Sequence, residues 1–174
     1  DPAANGSFLR EQAKLYAIDA DIGHGALFNT IIAEHSFAVE PLGICIDASR
    51  GWAFIPLIDG EIQIWDVRRE SATFETQIGV IIPPVTVRGT LAVDPSAEHL
   101  LALTAGKMYV YDIGPDTLSA EVPVLQDPQD VIVDPAGTYA YVSDGTGNVT
   151  VVPLAALSTL PIINTGGSLR GMAI

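Results

Sequence analysis

The sequence has few of the residues on which several classes of function depend. Its one cysteine, Cys45, allows no disulfide within the chain, and the apolar run around it predicts a buried small side chain. Eight basic residues stand against 21 acidic ones, which gives a formal net charge of −13. A field of that sign repels phosphate backbones and anionic membrane surfaces, so nucleic acid is excluded as an expected partner.

Long apolar runs and helical periodicity are also scarce. The longest apolar stretch, residues 149–163, is too short to span a membrane and is broken by Pro153 and Pro161, so we expect no membrane insertion. Hydrophobic residues, glycine and proline are abundant: 48% of the residues are hydrophobic, and 16 glycines and 12 prolines are spread along the chain. This composition is typical of a folded protein with many short strands and turns.

The stretch from Val131 to Val152 predicts three strands joined by two turns. The same pattern returns along the chain. An Asp follows the first strand at positions 1, 47, 94 and 134, and the third strand closes at positions 19, 66, 112 and 153. The two positions lie 18 or 19 residues apart in every unit, which indicates four copies of one supersecondary unit.

Each copy contains a further segment that predicts a fourth strand, at residues 26–33, 72–82, 120–126 and 157–164. Four antiparallel strands in about 40 to 47 residues describe a blade of a β-propeller. We therefore predict an all-β fold with one propeller domain over residues 1–174. Its repeats are expected at about 1–40, 41–86, 87–127 and 128–167, with 168–174 as the inner strand of a further or of the first blade.

The repeats and the chain are thus out of phase by one strand, because residues 168–174 are an inner strand without the other three strands of a blade. Three arrangements are compatible with this offset. The chain could be part of a longer propeller, a four-bladed ring closed by its own strand exchange, or one half of an eight-bladed ring of two chains. Blades of about 40 residues favour the first arrangement, since they suit rings of six to eight blades. The start at Asp1 without a methionine predicts either a removed leader or a piece of a longer protein.

Two repeat families share these motifs. Residues 58–67 (IDGEIQIWDV) resemble the strand-turn-strand ending of a WD40 repeat, whereas residues 91–103 and 131–142 resemble YVTN-type repeats of bacterial surface and periplasmic proteins. The Gly-His dipeptide of WD40 blades occurs only at Gly23-His24, after a third strand, which favours the YVTN-type group. That resemblance implies a periplasmic, cell-surface or secreted protein, but no single activity.

Two clusters of polar residues invite a metal-site interpretation. Asp19-Ala-Asp-Ile-Gly-His24 combines two carboxylates with an imidazole, and Asp144-Gly-Thr-Gly-Asn148 places oxygen atoms at alternate positions, as a calcium loop does. Both lie where a hairpin must turn, and the second lacks the downstream Glu of a calcium loop, so we favour turn roles for both. His35 and His99 have no Ser or Cys near them in the sequence that is arranged for nucleophilic catalysis.

The architecture gives a better-founded location for a site. Residues that immediately precede the innermost strands of a propeller lie at the mouth of its central channel, and here they include Arg88, Gln129, Asp130 and Arg170. Arg88 and Arg170 each stand beside a glycine and could offer a forked donor to a carboxylate or phosphate. The alternative is that they form ion pairs with nearby acidic residues such as Asp130.

We therefore predict a non-catalytic module for ligand binding, protein binding or scaffolding. Its expected partners are a protein or a small anionic ligand at the channel mouth, and the remaining blades or a second copy of the chain to close the ring. No catalytic residue, metal ligand or cofactor is identified. The alternatives are a propeller lactonase-like hydrolase with a divalent metal, for which only Asp130 suits the channel mouth, and an intracellular WD40-like assembly platform.

Overall fold

The computed structural model describes residues 14–18, 31–88, 90–96, 98–169 and 171–173. The chain divides into two compact units, residues 1–40 and residues 41–174, which are treated separately below. Every regular element in these described ranges is a β-strand, so the prediction of an all-β fold is confirmed. A search of the same ranges for a long apolar helix able to cross a membrane finds none.

The N-terminal unit shows one antiparallel hairpin, made of β1 (Lys14–Ile18) and β2 (Ile31–Ser36). Lys14 pairs with Glu34 across the two strands. β1 lies where the third strand of the first repeat is predicted. β2 ends three residues beyond the predicted fourth strand (26–33), whose first five residues lie outside the described part.

The C-terminal unit consists of three antiparallel sheets with four strands each. The hairpin of β1 and β2 is called the first sheet, and the three four-stranded sheets are numbered second to fourth in chain order. The second sheet contains β3 (Cys45–Asp47), β4 (Trp52–Pro56), β5 (Ile62–Asp66) and β6 (Gln77–Ile81). The third contains β7 (Leu91–Val93), β8 (His99–Thr104), β9 (Lys107–Asp112) and β10 (Thr117–Pro123). The fourth contains β11 (Pro128–Val133), β12 (Tyr139–Asp144), β13 (Asn148–Pro153) and β14 (Ile163–Asn164).

Each of these three sheets runs outward in chain order from its first strand. The first strands contact one another, β3 against β7 and β7 against β11, so they form the shared inner edge of the three sheets. Successive side chains of a strand point to opposite faces of its sheet, and both faces of the third sheet are apolar. Leu100 and Tyr109 pack toward the second sheet, and Leu101 and Val110 pack toward the fourth. The core is therefore two apolar clusters, one on each face of the third sheet.

The third strands of these sheets lie where the repeat pattern predicts them, because β5, β9 and β13 end at the predicted closing positions 66, 112 and 153. The fourth strands differ from the prediction. β14 covers only the last two residues of the predicted 157–164, because residues 153–157 form a turn that packs Leu154 and Leu157 on an apolar cluster. β6 starts at Gln77 and not at residue 72, since residues 71–76 fold back over Asp66. The repeat limits themselves stay a prediction.

Candidate functional site

One end of the C-terminal unit is built from two kinds of segment, which we call together the turn face. The first kind is the turn between the second and third strands of each sheet. The second kind is the segment that follows the fourth strand of each sheet, at residues 82–88, 124–127 and 165–169. Backbone bonds join them: Val124 donates to the carbonyl of Gly106 over 3.0 Å, and Thr165 donates to the carbonyl of Gly147 over 2.8 Å. The turns thus hold the connections in place.

The contact at Gly147 is the tightest of these. Its backbone has a φ of +100°, and a Cβ atom built there would lie 2.0 Å from the carbonyl oxygen of Gly167. Only glycine allows both that conformation and that approach. Of the Gly-Thr-Gly sequence after Asp144, Gly147 is therefore required by the backbone geometry of the turn and by the close approach of Gly167.

Arg88, a predicted site residue, lies on this face in the connection between the second and third sheets. Its backbone N–H donates to the carbonyl of Leu103 over 2.7 Å, which fixes its position at the start of the inner strand. Its half-exposed guanidinium pairs with Asp127, with 2.9 Å between Nη1 and Oδ1. The ion-pair alternative is thus what the structure shows, although the partner is Asp127 and not Asp130.

Asp130, a second predicted site residue, is engaged in a backbone contact. Its Oδ2 accepts a hydrogen bond of 2.8 Å from the backbone N–H of Met172. Thr90 is the equivalent residue of the third sheet, because it precedes Asp94 by four residues, as Asp130 precedes Asp134. Its Oγ1 accepts a hydrogen bond of 3.2 Å from the backbone N–H of Val131. Each side chain therefore reaches from one inner strand to the backbone of the next inner segment.

The other two predicted site residues contribute less. Gln129 is exposed, and its Nε2 donates a long bond of 3.4 Å to the backbone carbonyl of Asp127. Arg170 lies outside the described residues. Of these contacts, the Arg88–Asp127 ion pair and the Asp130–Met172 bond each join two separate segments of the chain, whereas the Gln129 bond is local.

The aspartates that follow the inner strands organise the opposite end of the sheets. Asp47, Asp94 and Asp134 each accept two backbone N–H groups of the following turn through Oδ1, at 2.6 to 3.1 Å. In this position the carboxylate oxygens accept hydrogen bonds from backbone N–H groups that have no partner in the pairing of the strands. The repeated Asp of the sequence is thus explained by the geometry of the turn.

Asp144 plays a similar part on the turn face. Its Oδ1 accepts from the backbone N–H groups of Thr146 and Asn148, and its Oδ2 accepts from their side chains, all at 2.9 to 3.0 Å. Burial opposes ionisation of this carboxyl, but the bonds from Asn148 and Thr146 outweigh it and lower the pKa of Asp144 to about 2. These contacts support the turn role of residues 144–148.

Asp66 is the most heavily bonded carboxylate in the described part of the chain. Its pKa is held well below the usual range, first by Arg68 and then, against the opposing effect of burial, by Ser71 and Thr73. Arg68 donates from Nε and Nη2 at 3.0 and 2.7 Å, and the two hydroxyl groups donate at 2.6 Å. The sequence analysis missed this cluster, although the Asp-Val-Arg spacing and the following Ser-Ala-Thr were visible signals.

His99 has two carboxylate neighbours, because its Nδ1 lies 3.1 Å from Oδ2 of Asp94 and its Nε2 lies 3.6 Å from Oδ1 of Asp112. The setting of Cys45 differs from the predicted buried one. Cys45 is only partly buried and packs at the margin of the apolar cluster between the second and third sheets, where burial raises the pKa of its thiol.

The described ranges contain no group of three or more His, Cys, Asp or Glu side chains placed to hold a metal ion. The Asp19–His24 cluster and its turn prediction lie outside those ranges.

A shallow groove on the turn face was also missed from the sequence. It has a volume of about 430 Å³ and lies between the β4–β5 turn and the connection that follows β6; its lining is formed by Asp59, Gly60, Glu61, Ile82, Pro83, Pro84, Val85 and Thr86. Ile82 is 75% exposed and Val85 is 49% exposed. Neither Asp59 nor Glu61 has a cationic partner among the described residues. The signal was an unusually apolar connection, Ile81-Ile-Pro-Pro-Val85.

No protein-family model matches this chain, and no curated protein does. Its fold is widely shared, since 1025 chains of solved structures match it. One of them is hydrazine synthase from Kuenenia stuttgartiensis, with a TM-score of 0.65 and 20% sequence identity. The match covers 78% of this chain and 39% of that chain, so this chain spans well under half of the length of that protein. At this identity the likeness shows the fold alone, and together with the three four-stranded sheets it confirms the predicted propeller-type fold.

Proposed function

We propose that this chain is a non-catalytic β-propeller module that binds a protein through its turn face. The observation that carries the proposal is the groove beside Ile82, where exposed apolar side chains lie next to two carboxylates without cationic partners in the described part of the chain. Contiguous apolar side chains with a polar rim are typical of protein interaction surfaces.

The chemistry of the groove suggests the kind of partner. Full burial of an exposed Ile or Val side chain contributes about 1.5 to 3 kcal/mol before the costs of association. Ion pairs to Asp59 and Glu61 at the solvent-exposed rim add less, about 0.2 to 1 kcal/mol each, but they select for Lys or Arg. The expected partner segment therefore combines apolar and basic side chains.

A small anionic ligand at Arg88 is the weaker of the two predicted partners. Such a ligand must compete with Asp127 for the guanidinium and must approach a chain with a net charge of −13. The lactonase-like alternative finds no specific support among the described residues. Membership of the YVTN-type group and a location outside the cytoplasm remain proposals that rest on the sequence motifs.

Binding of synthetic peptides, followed by fluorescence anisotropy, tests this function. We expect a peptide of alternating leucine and lysine to bind more tightly than a serine–lysine peptide of equal charge or a leucine–glutamate peptide. Ile82→Ser should weaken binding about tenfold or more, and the double change Asp59→Asn with Glu61→Gln should weaken it about threefold to tenfold.

The matched controls are Leu118→Ser, which alters an exposed apolar side chain on β10, and Glu70→Gln with Glu98→Gln, which removes two exposed charges elsewhere. Arg88→Ala tests the anionic-ligand alternative. Equal losses in the control variants, or equal binding of the serine–lysine peptide, would show non-specific attraction to an acidic protein and would contradict the proposal.

A further inference from the structure

The last strand of the second sheet, β6, pairs with β5 on one side, and its other edge is open in the described part of the chain. Successive residues of an antiparallel strand turn their N–H and carbonyl groups alternately to the two sides. The carbonyl of Glu61 accepts from the N–H of Leu57 within the β4–β5 hairpin, so the next residue, Ile62, turns toward β6 and its partner Ile81. Val80 therefore turns its backbone groups to the open edge.

The side chains along this open edge are apolar and accessible. Ile82 continues the alternation one residue beyond β6 and is 75% exposed, Ile78 is 40% exposed, and Val80 is partly exposed. Neither Val80 nor Ile82 makes a backbone hydrogen bond to another described residue on this side. Unpaired backbone donors and acceptors beside exposed apolar side chains are a template for pairing with a strand of another chain.

The outer strands of the other two four-stranded sheets are protected against such pairing. On β10, Glu121 and Pro123 hold the positions that Val80 and Ile82 hold on β6, since each pair flanks the residue whose partner lies four residues before the closing Asp. A charged side chain and a proline, which has no N–H, both prevent an edge from pairing. The fourth sheet ends in β14, which has only two residues. At the equivalent positions, β6 has neither kind of protection.

We infer that the open edge of β6 pairs with an extended segment of the partner protein, which adds a fifth strand to the second sheet. The inference rests on the proposed function, because the groove at Ile82 continues the same edge. Backbone hydrogen bonds to Val80 and Ile82 hold the added segment, and its side chains directly opposite these two residues are apolar. Beyond Ile82 the segment reaches Asp59 and Glu61, where a Lys or Arg side chain pairs with them.

The charges favour a basic segment of a partner over a second copy of this chain. Asp59 and Glu61 have no cationic partner among the described residues. Each copy of the chain carries a net charge of −13, so pairing of two β6 edges brings two acidic molecules together. A segment with alternating apolar and basic side chains complements both the edge and the carboxylates.

The first test replaces backbone N–H groups of the leucine–lysine peptide with N-methyl groups. Side chains and backbone groups of a strand alternate with the same period of two, so leucines packed beside Val80 and Ile82 also direct their N–H groups at β6. In fluorescence anisotropy, we expect N-methylation of the leucines to weaken binding about tenfold or more, and N-methylation of the lysines to weaken it less than about threefold. Equal effects of the two modifications would overturn strand addition.

The second test changes the edge and keeps the groove. Val80→Pro removes the outward N–H group, and we expect it to weaken binding of the unmodified peptide about tenfold. Glu121→Pro makes the same change at the equivalent position of β10 and should leave binding unchanged. Urea midpoints show whether both variants fold, and the N-methyl peptides decide the question if Val80→Pro does not. Binding of wild-type strength by folded Val80→Pro would contradict the inference.

These measurements separate the inference from the proposed function. If binding depends on Ile82 but not on the leucine N–H groups or on Val80→Pro, the proposed function stands and strand addition fails. If the unmodified peptide does not bind, or binds Ile82→Ser equally well, the proposed function fails and the inference fails with it. A dimer of the unliganded chain in light scattering that is lost in Val80→Pro would identify a second copy at the edge and would also overturn the inference.

Discussion

Aspartate side chains provide much of the local order at the residue scale. Asp47, Asp94 and Asp134 cap the turns after the inner strands. Asp66 and Asp144 each accept several hydrogen bonds from the residues that follow them. These carboxylates are committed to the backbone and to neighbouring hydroxyl, amide or guanidinium groups. The strong acidity of the chain is therefore partly a consequence of turn chemistry, and it is not by itself evidence of a metal or cation site.

The glycine at position 147 should be the least replaceable of the turn residues. In Gly147→Ala, the left-handed backbone costs about 1 to 2 kcal/mol, and the contact of Cβ with the Gly167 carbonyl adds to it. We expect a clear fall in the urea midpoint. Gly114→Ala is the control, since a Cβ there meets nothing within 4 Å. Equal midpoints in the two variants would show that the turn relaxes around the new methyl group.

The pH dependence of stability should reflect Asp144. Its folded pKa of about 2 lies below the unfolded value of about 3.9. Its contribution is therefore present above pH 4 and is lost as the pH falls from 4 toward 2. Urea midpoints measured across this range should fall less steeply in Asp144→Asn than in the wild type. Parallel curves would mean that the carboxylate does not contribute in this way.

Packing of neighbouring sheets dominates at the scale of elements. The third sheet has apolar clusters on both faces, so successive side chains along its strands pack alternately on the second and on the fourth sheet. This arrangement makes the stability of each sheet depend on the one beside it, as in other repeat proteins.

Leu101 provides a test of that dependence. It is fully buried between the third and fourth sheets, so Leu101→Ala should cost about 2 to 5 kcal/mol of unfolding free energy. Leu118→Ala, at a position that is 39% exposed on β10, should cost much less. Denaturant unfolding measures both. Similar costs would contradict the assignment of Leu101 to a packed interface.

The sequence predicted some elements well for identifiable physical reasons. β5, β9 and β13 are rich in β-branched and aromatic residues and end 18 or 19 residues after the Asp that follows the inner strand, so local composition and spacing agree. Residues 157–164 also have strand-like composition, yet only the last two form a strand, and the preceding residues 153–157 form a turn that packs Leu154 and Leu157 on the core. Edge strands have one neighbour only, and local pattern is least decisive there.

The contacts of the predicted site residues could not be read from the sequence. Arg88 and Asp130 lie near the starts of neighbouring inner strands. Their partners, Asp127 and Met172, are 39 and 42 residues away, and the choice between Asp127 and Asp130 depends on the register of neighbouring sheets. That register is not encoded in any local pattern. The groove at Ile82 requires the close approach of a turn and a connection, which spacing alone cannot show.

At the scale of the whole molecule, the turn face presents exposed apolar side chains beside two carboxylates that have no cationic partner among the described residues, and we propose that it binds a partner protein. Asp130 is engaged in a different contact, with the backbone N–H of Met172. A change at Asp130 should therefore leave binding at Ile82 unaffected.

The most direct test of the central claim is amide chemical-shift mapping of the 174-residue chain during titration with the leucine–lysine peptide. The binding proposal predicts saturable shifts concentrated in residues 57–61 and 82–88, absent in Ile82→Ser and present in Leu118→Ser. Shifts spread over acidic residues of the whole surface, or shifts unaffected by Ile82→Ser, would contradict a specific binding site on the turn face.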